Sequence, residues 1–539
     1  MIVTNLIKKV IHKKYEISII IFFCAIAFLI YYPSINNRNY FWDDDYFIFS
    51  NFLFNKAPSW TSFWIPNNSF FKSWALGYTQ FWFLNKFLSI ENIVHYKLIN
   101  ITMHLINSFL VFFLAKKVKI KYPLICSCIF LIHPLQVETV SWTFQLLTIL
   151  SFTYFITSLI FFINYIQKNN VFYMLLSFSF FLFSLSTKSI AIFAPFIYFF
   201  IFLINHQNFK KYLLLMPFFI ASLFFGLLSQ KGAMDISLGK INKIENVITY
   251  SEPVAQVDLL PNGESKSMAQ IMSNFDFLKD APNINANSLH NKNIALSKIE
   301  SEDLEFANFH HPIQKTSATR DVKFEKTEVF KQFIHHYILK LFIPYDLSFI
   351  YPKKSYSMSL LIFTILFILL FFYFIYKYIK DKKNYLYGIT IILFTLLPFS
   401  GITFITFFYW SNVSDRYSYF PLLGISILVA LFYEFKIKGR SLFIAAYIFY
   451  LSMYTTHYGF KFNNPMAIYQ EVATFKYHPV IYSLLIEQYI YKLDYINAKK
   501  TLDLALSKFP TDPLILNDTV RVNSLGQFYK LNNLKQVTD

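Results

Sequence analysis

The sequence predicts an all-α polytopic membrane protein. Three observations lead there. Long apolar runs recur through much of the 539-residue chain, 55% of residues are hydrophobic against 15% charged, and short Lys-rich clusters separate the runs. A mean hydropathy of +0.41 lies well outside soluble composition, and only helices or closed barrels can satisfy their backbone inside lipid. The formal charge of +18 does not describe a nucleic-acid surface. Its lysines flank apolar runs, where they set topology, so the expected partner is the bilayer and not a nucleic acid.

Hydropathy divides the chain into about eleven spans, near 15–32, 94–115, 122–138, 143–165, 171–187, 189–205, 211–229, 357–378, 385–406, 416–434 and 441–457. The first resembles a signal peptide, with Lys8, Lys9, Lys13 and Lys14 ahead of an apolar run. No small-residue cleavage site follows, so it reads as a retained helix. With the N-terminus cytoplasmic, Lys116, Lys117, Lys168, Lys210, Lys211, Lys377, Lys382, Lys383 and Arg440 all fall on the cytoplasmic side. Compact outer loops favour a bacterial inner membrane with a periplasmic tail.

Four regions follow. Residues 1–230 form an N-terminal membrane core with a first external loop at 33–93. Residues 231–330 are an Asn-, Ser- and Lys-rich external insertion that reads as mobile. Residues 331–458 hold an amphipathic helix lying on the membrane and the later spans. Residues 459–539 form an external helical tail. There Tyr482, Leu485, Ile486, Tyr489, Ala498, Leu502, Ala505 and Pro510 occupy the positions of a tetratricopeptide unit. Cys24, Cys126 and Cys128 lie in apolar stretches without metal spacing and read as small hydrophobes.

The chemistry-bearing residues cluster on the outer side. Asp43, Asp44 and Asp45 follow the first span. Adjacent carboxylates raise one another's pKa, so one can serve as a base, and two can hold a divalent ion. They equally read as loop charges or an anchor for a helix end. Asn100, His104, Asn107 and Ser108 share one face of the second span, as interhelical ties or as the lining of a substrate groove. His133 and Glu138 bracket a Pro134 break between two short spans, placed to touch a sugar or to form simple loop structure. Lys188 and Arg416 are basic groups on the outer side, where topology disfavours them. A lipid phosphate explains both, while Asp415 is placed to pair with a neighbouring base. No P-loop, dinucleotide fingerprint, GxSxG or zinc spacing occurs.

In this order the motifs resemble the GT-C superfamily of polytopic glycosyltransferases, and within it the branch with C-terminal tetratricopeptide repeats that includes O-mannosyltransferases. The stations are Trp42-Asp43-Asp44-Asp45 with Asn51, His95 to Asn100 and on to His104, and His133 to Val140. Then come Ser186-Thr187-Lys188 with Pro195, Tyr337 to Pro344 with Tyr351-Pro352, and Asp415 to Pro421. The resemblance implies transfer of a sugar, mannose among the candidates, from a polyprenyl phosphate to a hydroxyl of protein Ser or Thr or of an envelope glycan, generally with inversion. It implies Asp44 as catalytic acid residue, with Asp43 next and Asp45 third, and Arg416 and Lys188 on the donor phosphate. His133, Glu138, His104 and Asp415 are the substrate-side candidates. No cofactor is implied with certainty, and a divalent metal is an option. The chain departs from the family pattern at Leu146, where a basic residue is common, and at Lys72-Ser73. Two other readings compete: a non-catalytic scaffold whose repeats recruit partners, and a flippase for a lipid-linked glycan, which would carry inverted repeats.

Overall fold

The computed structural model describes residues 21, 23–35, 44, 60–64, 73–88, 93–237 and 325–538, apart from 380, 404, 436, 437, 476 and 477. The chain divides into two units, Met1–Ser237 with Thr316–Asp539, and Leu238–Lys315. The second unit, which contains most of the predicted insertion, lies outside the described residues. Among the described residues the protein is helical, with no strand.

Three of these helices are long and apolar enough to cross a membrane: Ile93–Lys117, Thr143–Lys168 and Phe209–Lys231. A fourth candidate is the pair Pro123–Ile132 and Pro134–Ser141, bent by 52°. Other stretches read from hydropathy as spans are shorter apolar helices here, among them Val171–Thr187, Ser189–Ile204 and Pro421–Phe432, and the described part of the first is Phe23–Ile35. Turns of 3-10 helix account for much of the shortening. One precedes Ala194–Ile204, one follows Lys382–Leu396, and one at Asp415–Ser418 precedes Pro421–Phe432. A helix is found at Lys326–Lys340, covering the first half of the predicted amphipathic stretch near 330–351, and the chain beyond Leu341 leaves helical geometry.

Local chemistry explains the hairpins. The helix from Leu146 ends at Asn169, which takes the left-handed conformation (φ 51°), a role suited to asparagine. Asn170 then caps the next helix by accepting from the Phe172 N–H at 2.9 Å. The two antiparallel helices approach closely through small residues. Ser151 and Ser184 exchange hydroxyl-to-carbonyl bonds of 3.0 and 2.8 Å, and Ser158 and Ser177 do so at 2.6 and 2.9 Å. Such pairs bring backbones together where lipid supplies no hydrophobic drive.

Lys382–Leu396 and Pro421–Phe432 pack equally closely. A Cβ on Gly388 would lie 2.9 Å from Leu428 Cδ2, and one on Gly424 would strike the Gly388 carbonyl. In the tail, Pro479–Tyr491, Tyr495–Lys508 and Pro513–Thr538 pack on one another. Ala498, Leu502 and Ala505 are fully buried between them. The helix preceding Pro510 stops at Lys508.

Candidate functional site

The site is organised by one stretch, His133–Thr148, which begins with a broken helix and ends in the first turns of the Thr143–Lys168 helix. His133 leaves helical geometry (φ −71°, ψ 128°), and its Nδ1 accepts from Leu135 N–H at 3.3 Å. Pro134 has no N–H to continue the ladder. One short helix follows, Val137–Ser141, and then a second break at Trp142 (φ −91°, ψ 116°) before the next helix starts. Two breaks so close together orphan carbonyls on one side and N–H groups on the other.

Side chains from distant elements satisfy several of these groups. Asn100 Nδ2 donates to the carbonyls of Trp142 at 3.0 Å and Val140 at 3.3 Å. Asp44 Oδ1 accepts from the Phe144 N–H at 2.7 Å, at the positive end of the following helix. The Asp44 carboxylate is 1% exposed and in Coulombic reach of Lys97. Lys97 Nζ itself donates to the Ser34 carbonyl at 2.9 Å. Lys188 Nζ donates to Gln145 Oε1 at 3.0 Å and Thr148 Oγ1 at 2.7 Å, and stands 5.5 Å from the Trp74 ring centre.

The charge on Arg416 has a partner in the protein. Buried Glu138 forms an ion pair with Arg416 Nη1 and also accepts the Arg416 backbone N–H at 2.9 Å and the Ser414 hydroxyl at 3.1 Å. Aromatic rings enclose the guanidinium, with Phe407 at 3.9 Å, Tyr417 at 5.1 Å and Trp142 at 5.2 Å from its central carbon. A guanidinium held this way is desolvated and fixed in direction.

Asp415 faces elsewhere. The Tyr351 hydroxyl lies 2.8 Å from both of its oxygens, and the Tyr458 hydroxyl donates to Oδ2 at 3.3 Å. His336 Nε2 stands 3.3 Å from Oδ1, close enough for an ion pair but not aligned as a hydrogen bond. Burial depresses the His336 imidazole, with Asp415 opposing. Burial and the Asp415 charge hold the Tyr351 hydroxyl well above its usual range. Lys340, depressed by burial with Asp415 opposing, lies 4.2 Å from the Tyr351 ring centre.

The predicted residues therefore fall into groups. Glu138, with Arg416, lies in the broken part of the His133–Thr148 stretch, while Asp44 and Lys188 attach to the start of the Thr143–Lys168 helix that follows it. His133 lies within the same stretch, fully buried, with Nε2 making no aligned hydrogen bond. Asp415 belongs to the adjoining tyrosine cluster. His104 is a tie between helices. Its Nδ1 meets the Tyr419 hydroxyl at 2.8 Å and its Nε2 the Leu131 carbonyl at 3.0 Å. Asp43 and Asp45 lie outside the described residues. Among the described residues no three His, Cys, Asp or Glu side chains gather as a metal site.

No family model, curated protein or solved structure matches the chain. Sequence reasoning passed over His336 and Lys97. His336 sits in an amphipathic helix, where a histidine carries no signal of its partner. Lys97 falls inside the His95–Asn100 motif, and a lysine near the start of a membrane span is itself a signal.

Proposed function

We propose that the protein is a membrane glycosyltransferase. It moves a sugar from a polyprenyl-phosphate donor to a hydroxyl acceptor, a protein Ser or Thr, on the outer face of the membrane. The observation that carries this reading is the convergence of Asp44, Lys188 and the Glu138–Arg416 pair on the His133–Thr148 segment. Irregular backbone among apolar helices is tolerated where it is buried in protein or lines a polar cavity, and it is there that membrane-embedded ionisable groups act.

Asp44 is the base in this reading. Its bond from Phe144 N–H fixes the carboxylate plane, as a positioned base requires. The acceptor O–H gives its proton to Asp44 while the oxygen bonds to the anomeric carbon. The bond from that carbon to the phosphate oxygen breaks, and the electron pair leaves with the polyprenyl phosphate. Arg416 and Lys188 supply fixed positive charge toward the departing phosphate. The helical tail from residue 459 is a tetratricopeptide-like surface for the acceptor, and the membrane is a bacterial inner membrane with the tail periplasmic.

The test is sugar transfer in nanodiscs from a panel of polyprenyl-phosphate sugars to Ser/Thr peptides and envelope glycans. Wild type is compared with Asp44→Asn and Arg416→Lys. Asparagine retains an oxygen acceptor for Phe144 N–H, and lysine retains a charge for Glu138, so both variants are chosen to fold. Transfer by wild type that is lost in Asp44→Asn, with unchanged size-exclusion and circular-dichroism profiles, supports the reading. Undiminished transfer by Asp44→Asn, or no transfer from any donor by wild type, sinks it.

A further inference from the structure

The breaks that seat the charged groups leave other polar atoms on the same stretch with no hydrogen bond among the described residues. They are both amide atoms of Gln136, the hydroxyls of Thr139, Ser141 and Thr143, and, on the turn carrying Arg416, the hydroxyl of Ser418. All five residues are 3% exposed or less. The Pro134–Gln136 turn and the Asp415–Ser418 turn pack against each other. Gln136 and Thr139 are three apart on continuous turns, the spacing of neighbours on a helix surface.

Unpartnered buried atoms occur elsewhere too, at Asn85, Ser222 and Asn384 among others, but here several fall within eight residues, and comparable groups close by are satisfied. Ser151, Ser158, Ser177 and Ser184 are all paired within the bundle. Gln145, in the same turn as Thr143, accepts from both Lys188 and Thr148. Buried polar atoms without partners are costly, and where several gather they call for water, an ion or a ligand.

Their chemistry narrows the occupant. Gln136 offers donors and an acceptor, and because both amide atoms are unpartnered this holds whichever way the amide is turned. Each hydroxyl can donate and accept. The set has no net charge, whereas the neighbouring cations are engaged by Glu138 and by Gln145 with Thr148. An anion would seek the cations. A neutral group rich in hydroxyls matches the orphaned atoms.

We propose that Gln136, Thr139, Thr143 and Ser418 form a subsite that recognises the hydroxyls of the donor's sugar, beside the charged groups that face its phosphate. This rests on the donor reading above and deepens it.

The experiment uses the full chain in nanodiscs and the isosteric variants Thr139→Val and Thr143→Val. Two quantities are measured. One is the thermal midpoint without added ligand. The other is affinity for polyprenyl phosphate and for the same lipid bearing mannose, glucose or galactose. Wild type is expected to bind at least one sugar-bearing lipid more tightly than the bare phosphate. Each valine variant is expected to lose about tenfold of that advantage, the worth of one hydrogen bond. Affinity for the bare lipid should stay the same, and the midpoint should hold or rise because a buried orphan has been removed.

A lower midpoint with the sugar advantage intact would mean that these hydroxyls hold structural water, and overturns the subsite. Equal affinity of wild type for bare and sugar-bearing lipids also overturns it. If neither lipid binds, the donor reading fails separately. The subsite is then decided with methyl mannoside, methyl glucoside and methyl galactoside. Failure of all three to shift the wild-type midpoint overturns it, and a shift that Thr143→Val abolishes upholds it.

Discussion

Replacing Glu138 by Gln tests how the Arg416 charge is carried. Glu138 is wholly enclosed and faces three donor groups: Arg416 Nη1, the Arg416 backbone N–H at 2.9 Å and the Ser414 hydroxyl at 3.1 Å. A glutamine keeps one acceptor oxygen and turns the other into a donor. The Ser414 hydroxyl can rotate to meet it, but one of the two Arg416 donors then faces an N–H. The guanidinium meanwhile loses its counter-ion. Breaking a buried pair on one side costs about 3–5 kcal/mol. The rings around Arg416, with Phe407 at 3.9 Å, offset part of this. The expected cost for Glu138→Gln is therefore about 3 kcal/mol, roughly a hundredfold in the folded-to-unfolded ratio. Reversible unfolding by SDS in mixed micelles reads it directly. Glu138→Leu combined with Arg416→Met removes both charges and should recover most of the loss, and against the matching single variants Glu138→Leu and Arg416→Met the coupling should be about 2 kcal/mol or more. A cost below about 1 kcal/mol for Glu138→Gln, or simple additivity in the double variant, refutes the view that the pair neutralises a desolvated cation.

Three further outcomes are expected. Burial pushes the Asp518 carboxyl from 3.8 to about 6, against Ser483 and Arg521. The folded tail therefore binds the extra proton between those values, and its stability is greatest below about 3.8 and falls by up to about 3 kcal/mol as pH rises through about 6. Hydrogen exchange of the tail at pH 4.5 and pH 7 measures the slope, and Asp518→Asn should flatten it. Gly424→Ala puts a methyl against the Gly388 carbonyl and 2.7 Å from Ile392 Cγ1, so it should cost about 1–3 kcal/mol in the same SDS titration; a neutral result would show that the two helices are free to separate. Asn100→Leu withdraws the donor that serves Trp142 and Val140 and should destabilise by about 1–3 kcal/mol, with faster exchange at Thr143 and Phe144 as the local signature.

What the sequence made legible was local. Pro134 announced a break, and a break is there at His133. The i,i+4 spacing of Asn100, His104 and Ser108 announced an inward polar stripe, and all three are buried. Lys188 and Arg416 stood out because topology disfavours outer cations. Two kinds of information were out of reach. Hydropathy adds up apolarity without reading backbone continuity, so runs such as 189–205 and 416–434 passed as spans although 3-10 turns shorten their helices. Partnership across the chain was the other. Glu138 and Arg416 were each conspicuous, yet 278 residues separate them and no spacing rule joins them. For the same reason the sequence offers only a lipid phosphate as the account of an outer-side cation at Arg416, whereas the fold also holds a carboxylate against it.

That pairing changes what a phosphate would meet. An exposed arginine can follow its ligand, whereas Arg416 is held by Glu138 through both side chain and backbone and by rings around its plane. Its charge acts as a fixed field, the kind of electrostatics that needs no reorganisation as charge develops on a leaving group. The same economy applies to Asp44, whose carboxylate is oriented by a helix N-terminus. A helix broken twice within ten residues of Pro134 is a poor way to cross a bilayer. It is an effective way to bring a capped carboxylate, a caged guanidinium and several unspent hydroxyls to one short stretch of chain. Local rules are expected to fail where function is placed, and in this chain the charged residues that sequence and structure both single out gather where they fail together.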